Sequence, residues 1–330
     1  MGVFPSLAAV LCIAILGYVG GGVTGLRPLF GVIIPYVAIA TFLGGVAYRV
    51  VRWAHAPVPF RITTTCGQQK SLPWIKAGWL ESPYTTWGVL ARMALEVLLF
   101  RSLFRNTKAE LKEGPKLIFG ENKYLWLGAL AFHWSFLIIF LRHLRFFMEP
   151  VPVFVLALQN VDGFFQIGAP ALYLTDIFIL AALAYLLLRR LFNPQIRYIS
   201  LFTDYFALFL LLGLAISGIL MRYFTRVSLL EVKELALGLV TFSPIVPAGI
   251  GTPLIIHLTL LSALIAYFPF SKLMHMGGVF LSPTRNLANN NRMKRHVNPW
   301  NYPVKVHTYE EWENEFRDKL EACGLPMERQ

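Results

Sequence analysis

Four histidines lie where histidine is uncommon. His133 and His143 sit in LGALAFHWSFLIIFLRHLRFF, and His257 and His275 in HLTLLSALIAYFPFSKLMHM, both strongly apolar stretches. An ionisable side chain in such a segment needs a partner or a task. For one histidine, a helix–helix hydrogen bond is as good an explanation as a function. Four in two segments shift the balance towards function. The spacings are 10 and 18 residues, or about 15 Å and about 27 Å along ideal helices. If the two helices run antiparallel, His133 faces His275 at one depth and His143 faces His257 at the other. Two neutral imidazoles converging from opposite helices can fill both axial positions of a haem iron, which then carries electrons rather than binding oxygen. Zinc could use four histidines, but not as two pairs at different depths. A proton relay would more naturally set carboxylates beside the rings, and the centres of these segments have none. On an ideal wheel 18 residues return to one azimuth, whereas 10 residues fall about 80° away. A kink must absorb the mismatch, and Pro269, six residues before His275, is placed to supply it. His55, His296 and His307 lie in polar segments and read as surface residues.

Basic residues flank the four rings. Lys272 is three residues from His275, and Arg142 and Arg145 bracket His143. They suit haem propionates, and they equally suit headgroup anchoring at helix ends.

The elements that must position these rings are membrane spans. The 330-residue chain is 56% hydrophobic and 15% charged, with a mean hydropathy of +0.57. Six apolar blocks, at roughly 3–25, 30–50, 124–147, 170–191, 199–222 and 252–275, are long enough to cross a bilayer as helices. The alternation of a membrane β-barrel is absent. The expectation is an all-α integral membrane protein of six helices, the last four forming a dihaem cytochrome b bundle. The first block lacks the positive start of a signal peptide and reads as a span. The net charge of +12 follows the positive-inside rule. With both termini inside, 24 Lys and Arg fall inside and 6 outside. No nucleic-acid motif is present, so no nucleic-acid partner is expected. Cys12, Cys66 and Cys323 are far apart, which argues against a cysteine-ligated cluster, a c-type haem or a disulfide framework in this chain.

Four parts follow: a two-helix membrane hairpin (1–52), an inside loop with an interfacial helix (53–123), the four-helix histidine domain (124–276) and an inside tail (277–330). The loop helix, in TTWGVLARMALEVLLFRSLFRN, places Arg92 and Glu96 four apart, where they can pair. The tail opens on GGVFLSPTRNLANNNRMKRHVNPWNYP, which reads as extended. It closes on a short charged helix stopped by Gly324 and Pro326. No repeated halves support a transporter; a cofactor-free membrane anchor stays open as the alternative.

The motif FPFSKLMH, with a histidine 18 residues before its own, resembles the last membrane helix of the gamma subunit of respiratory nitrate reductase, a dihaem cytochrome b. The pair ten apart on an earlier helix is also similar, and the likeness covers about 124–276. The extra N-terminal helix, the long loop and the tail YEEWENEFRDKLEACGLP make the full layout similar to the M-subunit family of the Dsr membrane complex, found beside dissimilatory sulfite reductase, and to the cytochrome b subunits of membrane-bound heterodisulfide reductase. The resemblance implies two haem b groups, ligated by His133 with His275 on the inside and by His143 with His257 on the outside. It implies an electron-transfer subunit of an oxidoreductase complex, exchanging electrons between menaquinone near the outer haem and a cytoplasmic iron–sulfur subunit. That partner resembles the heterodisulfide reductase catalytic subunit (the K subunit of the Dsr complex), with the other Dsr subunits beside it. It also implies a prokaryotic cytoplasmic (inner) membrane location and a role in sulfur metabolism. The gamma subunit's basic residue at its quinol site does not carry over, because the matching region reads GAPALYLTD. Gln166, Tyr173 and Asp176, with Arg145 across the loop, are the quinone-site candidates. Asp176 could take a quinol proton or serve only as a cap or ion-pair partner.

Overall fold

The computed structural model describes residues 2–56, 68–104, 108–114, 116–120, 122–165, 170–290, 292–293 and 307–328. The protein is an all-α integral membrane protein. Among the described residues, five helical runs are long and apolar enough to cross a membrane: Val3–Gly22, Thr24–Ala54, Lys123–Phe146, Phe202–Thr225 and Thr252–Phe270.

Helix α1 (Val3–Gly22) leads through tight turns and a π-helical turn (Leu29–Ile33) into α2 (Ile34–Ala54). The loop region that follows folds as α3 (Thr86–Leu99) and a short α4 (Arg101–Phe104). Thr85 caps α3 by accepting a hydrogen bond from the Gly88 amide. The expected single helix is thus broken at Phe100, whose left-handed φ of 49° stops α3 and turns the chain. A small antiparallel hairpin, β1 (Lys108–Lys112) with β2 (Lys116–Gly120), follows; the sequence reading did not anticipate it. Next come α5 (Lys123–His143), α6 (Val153–Asp162), α7 (Leu174–Phe192), α8 (Pro194–Ile199), α9 (Phe202–Ile219) and α10 (Leu229–Val240). The last membrane run is α11 (Thr252–Tyr267), and α12 (His275–Leu281), α13 (Pro283–Asn286) and α14 (Tyr309–Ala322) complete the chain.

The region just after the last span is helical as α12 and α13, not extended as expected. Apolar Val279, Phe280 and Leu281 continue the chain from His275, and Pro283 suits a helix start. The charged tail helix forms as read: Thr308 and Glu311 make a capping box, and Gly324 follows its end with φ of 65°.

Helix α11 lies at the centre, packed on α1, α2 and α9, while α5 packs on α7. Val10, Leu183, Leu210, Leu260 and Leu264, from α1, α7, α9 and α11, form one apolar core, with Phe132 and Ile139 of α5 against it. Glycine permits the α1–α11 approach. A Cβ on Gly17 would sit 2.9 Å from the Ile256 Cα, and one on Gly21 2.8 Å from the Thr252 Cα. This Gly-x-x-x-Gly pair lets two backbones meet where larger residues would hold them apart. Helices α5 and α11 do not pack closely on one another among the described residues.

The proline of FPFS ends α11 rather than bending it. The chain passes through two tight turns (Phe268–Phe270 and Lys272–Met274) with Ser271 extended between them. Ser271 then caps the second turn, its hydroxyl accepting from the Leu273 amide at 3.1 Å. His275 is therefore the first residue of α12 and not the last turn of α11. This break absorbs the mismatch between the 10- and 18-residue intervals.

Candidate functional site

The four membrane histidines lie in two groups. The His133 and His275 ring centres are 6.0 Å apart. His257 and His143 lie within electrostatic range of each other at the opposite end of the bundle. We call these ends inner and outer.

Each ring is held by its Nδ1. His133 Nδ1 lies 2.7 Å from the Ala129 carbonyl, His143 Nδ1 2.7 Å from the Ile139 carbonyl, and His275 Nδ1 2.9 Å from the Lys272 carbonyl. A carbonyl can only accept, so these Nδ1 atoms carry the proton and each Nε2 keeps its lone pair. His257 Nδ1 lies 2.8 Å from Ser217 Oγ, and that hydroxyl lies 3.1 Å from the Leu214 carbonyl. The serine proton satisfies Leu214, so its oxygen accepts from His257. Four imidazoles with Nδ1 engaged in this way have Nε2 left to bind a metal.

The residues fit haem. In the inner couple two imidazoles, each with its Nδ1 engaged, stand with ring centres 6.0 Å apart, and both could serve one metal. On the outer side, a Cβ on Gly218 would meet only His257 Cε1, at 3.5 Å, so α9 presents a side-chain-free surface beside that ring.

A cap that the sequence reading placed in a loop covers the inner couple. Phe100 meets the His133 ring edge-on at 4.8 Å, and Phe132 packs on its other side at 4.9 Å. The last carbonyls of α3 are taken by tryptophans of α5: Trp134 Nε1 donates to Leu98 at 3.0 Å and Trp126 Nε1 to Leu99 at 2.6 Å. Glu96 does not form the expected i,i+4 bond with Arg92. It accepts from the Ser102 hydroxyl and pairs with Arg285 of α13 at 3.2 Å. Asn289 bonds the Pro83 carbonyl and Ser82. The cap therefore grips both α5 and the segment behind His275. Burial and the neighbouring Arg285 hold the Arg92 guanidinium below its ordinary pKa.

Beside His275, a cleft of about 190 Å³ is lined by Arg190, Asp204, Tyr267 and Lys272 among others. Lys272 donates to Asp204 at 2.7 Å, and Arg190 stands 3.8 Å from the same carboxylate. Asp204 tethers both cations at this cleft, where they could neutralise carboxylates of a bound cofactor.

At the outer end the polar residues are denser. Arg142 Nε is 3.0 Å from Asp162, in ion-pair contact though not aligned as a hydrogen bond. Its Nη2 donates to Thr175 at 3.0 Å and, more weakly, to Asp176 at 3.4 Å. Asp162 accepts from the Thr175 amide and hydroxyl at 2.9 and 2.6 Å. Tyr223 donates to Asp176 at 2.8 Å and accepts from the Tyr173 amide at 3.0 Å. The Tyr173 ring is sandwiched between the guanidiniums of Arg142 and Arg222, at 3.7 and 3.8 Å. Arg142, Asp162, Tyr173 and Thr175 are all buried.

Asp176 and Tyr173 thus come together as read from sequence. Arg142, read as a propionate partner, is held by two carboxylates. Arg145 turns to Gln159, donating at 2.8 Å. Gln166 lies outside the described residues. Sequence reasoning missed Asp162, Arg222 and Tyr223. The last two ride on a π-helical turn, Leu220–Thr225, that continues α9, a distortion common at functional sites and invisible to periodicity.

Paired histidines between the helices of an all-α membrane bundle define the class of the protein. The pattern of the nitrate reductase gamma subunit family matches residues 84–295, and the chain belongs to that family. Similar proteins include two each named Hdr-like menaquinol oxidoreductase cytochrome b-like subunit. The one from Archaeoglobus fulgidus is 48% identical over 279 residues, covering 82% of this chain and 83% of the relative. The one from Archaeoglobus profundus is 43% identical over 274 residues, covering 81% of each.

Proposed function

We propose that this chain is the dihaem b subunit of a menaquinol-linked, heterodisulfide-reductase-like complex, passing electrons between the menaquinone pool and a cytoplasmic iron–sulfur subunit. The observation that carries the reading is the common state of four histidines, each with Nδ1 engaged and Nε2 free. The relatives' printed name supports a quinol as redox partner and further subunits beside this one. Helix α7, 19 residues long with its charges near its ends, serves as a sixth span. Both termini lie on the cytoplasmic side of a prokaryotic inner membrane. The layout of extra helix, loop and tail around the four-helix domain supports a Dsr-type complex of sulfur metabolism and a partner like its K subunit.

His133 with His275 and His143 with His257 would hold two haem b groups, which supply one-electron carriage across the bilayer. Arg190 and Lys272 neutralise the inner end. At the outer end Asp176 accepts a proton from a quinol hydroxyl, directly or through Tyr223. Arg142 stands 3.4 Å from that carboxylate, and Tyr173 and Arg145 stand as secondary contacts of the quinone site.

The test is the spectrum of the purified protein. Two low-spin b haems per chain are expected. His143→Ala or His257→Ala should remove one and keep the other, and His133→Ala or His275→Ala the reverse. A spectrum unchanged by all four substitutions, or a protein without haem, would overturn the reading in favour of a cofactor-free anchor.

A further inference from the structure

Three of the four rings are oriented by backbone carbonyls three or four residues before them on their own chain segment. No substitution removes a carbonyl. His257 differs, because its Nδ1 meets only the Ser217 hydroxyl, which reaches across from α9. That hydroxyl is fixed in turn by the Leu214 carbonyl at 3.1 Å, so the chain runs from ring N–H to serine O–H to carbonyl. The next residue is Gly218, which leaves the surface beside the ring free of side-chain atoms.

We propose that Ser217 is a positioning residue for the outer haem: it fixes the His257 tautomer and sets the electron donation of that ring to the metal. The proposal rests on the dihaem reading above. A hydrogen bond accepted from Nδ1–H makes the imidazole a stronger donor at Nε2. A stronger donor favours the oxidised metal and lowers its midpoint potential. The outer site therefore has a side-chain hydrogen-bond partner at a ring Nδ1 that a single substitution can remove, and the inner rings, bonded there to backbone carbonyls, do not.

The experiment is an anaerobic redox titration of the purified complex, followed by optical and low-temperature EPR spectra. The signal lost in His143→Ala identifies the outer haem. Ser217→Ala should raise the outer midpoint potential and shift its EPR signal, with the inner haem unmoved, and Ser217→Thr should restore both. If the ring slips in Ser217→Ala, the expected result is selective loss of the outer haem with full retention in Ser217→Thr. A Ser217→Ala protein with both potentials unchanged, or with both shifted equally, overturns the proposal. An unaltered protein without two b haems overturns the dihaem reading itself, which separates the two failures.

Discussion

Arg142 answers to Asp162 and Asp176 at once, and Asp176 also receives the Tyr223 hydroxyl. The two carboxylates have different environments. Asp162 is locked by three groups of α5 and α7, whereas Asp176 has a phenol and a more distant arginine. Asp176→Asn should slow quinol oxidation by about 10²-fold or more while keeping both haems, checked by stopped-flow reduction with a menaquinol analogue. Tyr223→Phe should slow it less. Asp162→Ala should act differently: removing one partner of a buried pair costs about 3–5 kcal/mol, so a fall in thermal stability and yield is expected. Sequence alone showed the histidines, Asp176 and Tyr173, because each stood out against its own segment. It did not show Asp162, Arg222, Tyr223 or Ser217, which matter only through contacts between helices far apart in the chain.

Five of the six spans were legible as apolar runs, and the sixth block, 170–191, holds α7. The elements between them were not legible. The cap of α3 and α4 looked like an interfacial helix because its partners, Trp126, Trp134 and Arg285, lie on other elements. The break at Ser271 looked like a simple proline kink because the extended residue follows the proline by two positions. These details decide the inner site: the cap touches His133, and the break delivers His275. Phe100→Ala should open the edge of the inner couple to water and shift the inner haem potential, leaving the outer one unchanged in the same titration. The α1–α11 seam gives a further test. Gly17→Leu forces side-chain atoms into a backbone contact of 2.9 Å, so a loss of about 1–3 kcal/mol is expected. Thermal denaturation followed at the haem absorption band should show it first at the outer site, because α11 carries His257.

At the scale of the molecule, charge and partner docking go together. The positive-inside rule would set the basic loop and the tail helix α14 together on the cytoplasmic side. The tail helix is acidic on its first turn and shows Tyr309 and Trp312 to solvent. Deleting residues 300–330 should release the iron–sulfur subunit while leaving both haems, read by co-purification and spectrum; co-purification unaffected by the deletion would remove the docking role. The Gly-x-x-x-Gly seam has another consequence, for the order of assembly. Its two helices lie more than two hundred residues apart in the chain, and both histidine couples need a residue from the region beginning with α11. On the proposed dihaem reading, neither site can close while the ribosome is still making the preceding spans. Haem capture then comes late in biogenesis, and a chain truncated before Thr252 should insert into the membrane yet remain colourless.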